Sequence, residues 1–236
     1  MSAGTLALLS AVVAVAAFVQ GTTGLGFALI SAPVMAVVAP QLVPVGLLAM
    51  MMPLTAYVTW RERRALDWRG AGWITVGRFV GAFGGLWILA ALSPHALAIA
   101  VGIATILASV ATLVAPSFEP GRGAFVTAGV VTGISETATG IGGPPLALVY
   151  QHRPAPTLRA TVSFCFFAGQ VISLALLAFA GRVEGAQFRD LLLLAPPLLV
   201  GAAASRLVHH RVTGRGLRVF VLGFSIVSGV VLLLRA

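Results

Sequence analysis

The chain has 236 residues, of which 59% are hydrophobic and only 9% charged, and its mean hydropathy is +1.03. A soluble domain carries about a quarter charged residues, so this is the composition of an all-α polytopic membrane protein with no stretch left over for a soluble domain. The net charge of +9 comes from 15 arginines in short clusters between apolar runs, which is how topology determinants are placed and excludes a nucleic-acid partner, since that would need a polar domain.

The first apolar run extends from Thr5 to about Val38. As one helix it would be roughly 51 Å long, against a hydrocarbon core of about 30 Å. It therefore either tilts heavily or breaks, and Gly21, Gly24 and Gly26 within V-Q-G-T-T-G-L-G-F are where it would break. Pro40 and Pro44 bracket a short connection, Val45 to Trp60 forms the next helix, and Arg61, Arg63, Arg64 and Arg69 follow with Glu62 and Asp67 interleaved. Gly70 to Leu92 is a helix carrying Gly77, Gly81 and Gly85 on one face, which permits close helix approach. The next helix starts at Ser93-Pro94 and runs to about Ala115, and Pro116 to Gly123 is the midpoint connection, dividing the chain into residues 1–118 and 119–236.

The second half follows the same order. Ala124 to Tyr150 is again apolar and again interrupted, at Gly140 to Pro145, and helices follow over about Ala160 to Ala180, Leu191 to Val208 and Val219 to Leu234. Gly24-Leu25-Gly26 recurs as Gly140-Ile141-Gly142 at an offset of 116, while Gly81, Ala82 and Gly85 align with Gly201, Ala202 and Ser205 at an offset of 120. Each half reads as one broken segment plus three transmembrane helices, the order expected of transporter repeats.

Arginine placement separates two topologies. If each broken segment crosses once, giving eight simple crossings, the halves disagree about which side is cytoplasmic. If each enters and returns as a re-entrant hairpin, one side collects eleven arginines (61, 63, 64, 69, 122, 153, 159, 206, 211, 215 and 218) and the other keeps Arg182, Arg189 and Arg235. The second arrangement obeys the positive-inside rule and makes the repeats inverted. It predicts six full crossings, cytoplasmic arginine loops and both termini on the periplasmic side.

Broken backbone at membrane depth survives only where protein buries it or water lines it. A helix that begins at such a break presents unpaired N–H groups to an anion. Gly24, Gly26, Gly140, Gly142 and Gly143 would let a ligand approach the backbone, and Thr22, Thr23, Ser135, Thr137 and Thr139 add hydroxyls. The bland alternative is that these residues only permit tight helix packing. Glu136, which matches Gln20 in the first half, is a candidate proton carrier, because an intramembrane carboxylate is costly and its proton affinity rises on desolvation. Arg78 either pairs with Glu136 or balances substrate charge, or else snorkels to the interface. Gln20 and Gln170 are candidate pathway residues, with Ser163 and Ser173 on the same helix as Gln170; simple interhelical hydrogen bonding is the alternative for that helix.

The remaining chemistry is sparse. Cys165 lies in an apolar run, so neither a disulfide nor a thiol metal site is expected. His152, His209 and His210 lie in basic loops without an H-E-x-x-H pattern, and no nucleophile–base arrangement stands out. No metal, cofactor or enzymatic activity is expected. M-S-A-G-T-L lacks a basic n-region, which argues against a cleaved signal peptide.

The broken segment with Gly24-x-Gly26-Phe27, its counterpart Gly140-x-Gly142-Gly143-Pro144 and the basic loop after the second helix resemble the sulfite exporter TauE/SafE family over nearly the whole chain. The resemblance implies a multi-pass permease of the bacterial inner membrane that moves small anions such as sulfite, sulfoacetate, thiosulfate or related organosulfonates. It places Gly24, Gly26, Gly140, Gly142, Gly143 and Pro144 on the family's glycine motifs. Phe27 stands where the second half has Gly143, so the two breaks are not equivalent. The expected function is a secondary transporter working as an exporter and coupled to protons through Glu136, with a lipid bilayer and a small anion as its partners. A passive anion channel and a non-transporting membrane scaffold are the alternatives. The sequence carries no signal for oligomeric state.

Overall fold

The computed structural model describes residues 2–114, 119–208 and 215–235, and the described part is helical with no strand. The expected helices are present in the expected order: α1 (Ala3–Thr23), α2 (Phe27–Val38), α3 (Val45–Glu62), α4 (Trp68–Ala91) and α5 (Pro94–Val114), then α6 (Arg122–Thr139), α7 (Gly143–Tyr150), α8 (Ala155–Phe179), α9 (Gly185–Val208) and α10 (Arg215–Arg235). Single 3₁₀ turns at Pro40–Leu42 and Arg63–Ala65 fill the connections on either side of α3. The midpoint connection and His209, His210 and Arg211 fall partly or wholly outside the described residues.

Among the described residues four helices are long and apolar enough to cross a membrane: Ala3–Thr23, Trp68–Ala91, Ala155–Phe179 and the Gln187–Leu207 part of α9. The 21 residues of α1 rise about 31 Å, so the first break comes after a full membrane thickness of helix and not halfway through it. Gly21 does not take part in that break. It is helical, and a Cβ there would overlap the Ser205 hydroxyl of α9, so its smallness serves packing. Helices α8 and α9 begin several residues before their apolar cores; in α8 the first turn holds Pro156, at a position where the missing N–H has no helical partner to lose.

The small-residue faces bring two helix pairs into backbone contact. Helix α4 packs on α6, where Gly77 and Gly81 meet the carbonyls of Val126 and Val130, and Gly129 of α6 answers them against the Ile74 carbonyl. Helix α1 packs on α9, where Gly201 meets the Ala14 carbonyl. The first helix of each five-helix run thus packs on the fourth of the other. Between these pairs α3 and α8 run antiparallel: Glu62 meets Arg159 at one end and Thr55 meets Gln170 further along. The main apolar core joins α1, α2, α3, α7 and α8 through residues such as Leu9, Met35, Leu47, Leu146 and Phe166. A small separate cluster of Val45, Leu48, Leu89 and Leu177 closes the other end of α3.

Candidate functional site

The two breaks have nearly superimposable entry geometry. Gly24 caps α1 at φ 79°, ψ 0° and donates to the Gln20 carbonyl at 2.8 Å. Gly140 caps α6 at φ 79°, ψ −1° and donates to the Glu136 carbonyl, also at 2.8 Å. This left-handed conformation costs an L-residue about 1–2 kcal/mol, which is why glycine stands at both places.

Beyond the caps they differ. In the first break Gln20 is buried and spans the gap: its Nε2 donates to the Gly24 carbonyl at 2.9 Å and its Oε1 accepts from the Phe27 amide at 3.1 Å. One neutral side chain therefore ties the end of α1 to the start of α2. In the second break the matching residue, Glu136, turns away to an arginine. Glu136 is fully buried and its Oε2 accepts from Arg78 Nη2, while its Oε1 accepts from Gln170 Nε2 at 3.4 Å. Gln170 in turn accepts from the Thr55 hydroxyl at 2.9 Å.

Arg78 does not snorkel. It is 1% exposed, sits near the middle of α4 and lies 5.6 Å from the Phe166 ring centroid. Its room is made by Gly169, where any Cβ would overlap the guanidinium. Two of its nitrogens, Nε and Nη1, are buried with no hydrogen-bond partner, as is the hydroxyl of Thr132 on α6. Gly142 ties these groups together, since its Cβ position lies 2.8 Å from Thr132 Cγ2 and 3.0 Å from Glu136 Oε2. At Gly143 a Cβ would stand 3.5 Å from Leu25 and 3.8 Å from Phe166, so the first break reaches the second through Leu25. Pro144 is in the first turn of α7, and its side chain lies outside the described residues.

The hydroxyls named from sequence are engaged locally. Thr22 donates to the Phe18 and Val19 carbonyls, and Thr23 to Val19 at 2.9 Å while accepting from the Leu25 amide. Thr139 donates to the Ser135 carbonyl at 2.7 Å, Ser135 to Thr132 at 3.4 Å, and Thr137 shares a 2.7 Å bond with Ser173. A hydroxyl has one proton to give, so in this arrangement the unspent donors near the second break are those of Arg78 and Thr132. Gly26 caps α2 at φ 114° without a side-chain cap.

The breaks are staggered along the bundle. Gly24 lies against Arg159 in the second turn of α8, at the arginine-rich end, whereas Gly140 lies against Leu47 in the first turn of α3, at the opposite end. At the arginine-rich end Glu62 pairs with both Arg61 (2.8 Å) and Arg159 (2.9 Å), and Arg61 donates to the Gly21 carbonyl at 3.1 Å. Beside them, Asp67 caps α4, accepts from Tyr150 at 2.9 Å and donates its amide to Thr161 at 3.0 Å. At the other end a cavity of about 670 Å³ opens between Gln41, Pro44 and Leu92 on one side and Arg182, Glu184 and Gln187 on the other.

A chain of this kind, with glycine-capped breaks around a buried Arg–Glu pair, can be compared with known families. The sequence profile described as Sulfite exporter TauE/SafE matches residues 9–232. The chain belongs to that family. No curated protein and no solved structure matches it. Membership makes this a multi-pass membrane protein of an anion-transporter family, with the breaks and the Arg78–Glu136 pair inside the matched region. Sequence reasoning did not single out Thr132, Gly169 or Thr55. Gly169 and Gln170 are adjacent, so the polar interruption of α8 was visible, but the need for a glycine beside Arg78 arises only when α4 and α8 meet.

Proposed function

We propose that this TauE/SafE family member is a secondary transporter that exports small oxyanions of the sulfite and organosulfonate class from the bacterial cytoplasm, and that the substrate binds at the second break. The observation that carries this reading is the buried Arg78 with two unpartnered guanidinium nitrogens, held by Glu136, whose carboxylate lies against Gly142. A buried cation with unsatisfied donors is costly, and a planar guanidinium fork suits an oxyanion. Gly142 brings the backbone to within contact of Thr132 and the Glu136 carboxylate, so an anion at Arg78 takes the place that this carboxylate fills; Pro144 and Pro145 in the first turn of α7 have no N–H to give, and the donors are those of the guanidinium.

Glu136 is the coupling group in this reading. It holds Arg78 while the site is empty. When an anion takes Arg78, the displaced carboxylate is favoured to accept a proton, since two negative charges in a buried site repel each other. Substrate and proton are thereby linked through one arginine. Two inverted repeats, residues 1–118 and 119–236, would alternate access to this site. The antiparallel course of α3 and α8 and the reciprocal packing of α1 on α9 and α4 on α6 support that symmetry, as does the arginine excess on the cytoplasmic loops.

Flux of sulfite into proteoliposomes tests the reading. Wild-type protein is expected to drive uphill accumulation under a pH gradient. Arg78→Gln is expected to abolish flux, and Glu136→Gln to leave exchange that no longer responds to the gradient. Downhill flux without accumulation would make the protein an anion channel, and absence of flux for every small oxyanion would leave the scaffold reading.

A further inference from the structure

We propose that Arg61 and Arg159, at the arginine-rich end below the first break, form a second oxyanion site in which Glu62 occupies the ligand's place. The inference rests on the transport reading and adds a site where the anion is received before it reaches Arg78.

Three observations carry it. First, Arg61 and Arg159 share a single carboxylate: Glu62 accepts from Arg159 Nε through both oxygens, at 2.9 and 3.0 Å, and from Arg61 Nη2 at 2.8 Å. The cluster therefore carries an excess positive charge although its side chains are only 10–14% exposed. Second, Arg61 Nε and Nη1 are buried without hydrogen-bond partners, so the guanidinium presents unsatisfied donors. Third, Tyr57 holds the region basic, with Arg61 at 5.5 Å and Arg206 at 4.3 Å from its ring centroid. The cost of desolvating such a cluster is offset by the anion that fills it, and the Glu62 oxygens mark where an oxyanion's oxygens could accept from both guanidinium groups.

The cluster is also joined to the first break. Arg61 caps the C-terminal end of α1 through the Gly21 carbonyl, and Gly24 lies against the backbone of Arg159. An anion that displaces Glu62 would acquire contacts with α3 and α8 at the point where α1 gives way to α2. Leu25, next to Gly24, is in van der Waals contact with the Gly143 position at the second break. Glu62 thus acts as an internal competitor that keeps the cluster closed until an oxyanion replaces it.

The test is equilibrium dialysis of radiolabelled sulfite against the full chain in detergent, with folding followed by elution profile and melting temperature. Wild-type protein is expected to bind two sulfites. Removing the competitor by Glu62→Gln is expected to tighten the second site about tenfold, equivalent to roughly 1.4 kcal/mol. Glu62→Asp, which keeps the charge but draws it back by one methylene, is expected to tighten it by a smaller factor and serves if the glutamine variant does not fold. Arg61→Gln should remove one bound sulfite and leave the other. One bound sulfite that is lost in Arg78→Gln, but indifferent to changes at Glu62 and Arg61, overturns this proposal and leaves the transport reading intact. No sulfite bound by any folded variant overturns both.

Discussion

The first and second breaks share a backbone and divide the chemistry. Both leave a helix through a left-handed glycine that donates to the carbonyl four residues earlier. At that carbonyl's residue one break has Gln20 and the other Glu136. The amide can donate and accept, so it satisfies both sides of its own gap. The carboxylate can only accept when ionised and needs a cation, which arrives from α4 as Arg78. At the offset that aligns Gly81 with Gly201, Arg78 corresponds to Leu198, a buried apolar residue of α9. The gap of one break is therefore spanned by its own neutral amide, whereas the carboxylate of the other pairs with a charged group from a neighbouring helix. Two breaks alike in backbone geometry differ in chemistry through two side-chain differences, Gln/Glu and Leu/Arg.

The same exchange appears in the packing. Gly85 of α4 accommodates Thr137 of α6, whereas Gly21 of α1 accommodates Ser205 of α9. The small residue has moved from one helix to the other, and close approach is kept in both pairs. Steric room is conserved between the pairs; which helix supplies it is not.

Breaking the charged break should cost most. Arg78→Gln leaves Glu136 buried and uncompensated, with an expected loss of about 3–5 kcal/mol in stability. The double variant Arg78→Gln with Glu136→Gln should recover much of it, and a double-mutant cycle of thermal unfolding in detergent measures the coupling. Purely additive losses would mean that the two side chains do not act as a pair. Next in size is Gly169→Ala, whose methyl group would displace the guanidinium. An overpacking cost of about 1–3 kcal/mol is expected, together with weaker substrate binding, while Gly181→Ala in the exposed α8–α9 turn should leave binding unchanged.

Gln20→Ala probes the neutral break. It strands the Gly24 carbonyl and the Phe27 amide, for an expected loss of about 1–3 kcal/mol without a change in the pH dependence of flux. Gln20→Glu should be the more damaging change, because no arginine stands where Leu198 does. If it were tolerated and brought a new pH dependence, the division between the breaks would rest on something other than these two positions. The smallest effects are expected for Thr23→Ala and Thr139→Ala, each removing a hydroxyl that serves its own helix, at about 0.5–1.5 kcal/mol. A fall in substrate affinity at either one would return those hydroxyls to the binding site.

Much of the architecture was legible because it is written in local terms. Glycines at matching offsets, apolar runs of membrane length and clustered arginines each act within a few residues or through the surrounding lipid. Helix order and both breaks could be read from them. The end of α1 could not be resolved among Gly21, Gly24 and Gly26, since a glycine that packs and a glycine that caps look alike in sequence. Arg78 was left between snorkelling and pairing for a similar reason: its position in α4 permits either, and only the neighbouring Gly169 and Glu136 remove the choice.

The sequence by itself determined an all-helical membrane protein with two related breaks, because bilayer thickness and backbone hydrogen bonding leave few alternatives to such a chain. The tertiary structure alone decided which polar groups face each other across 58 residues between Arg78 and Glu136, or 97 between Glu62 and Arg159. Those partnerships depend on helices meeting at particular faces and depths, and a buried charge takes its role from the group it meets there.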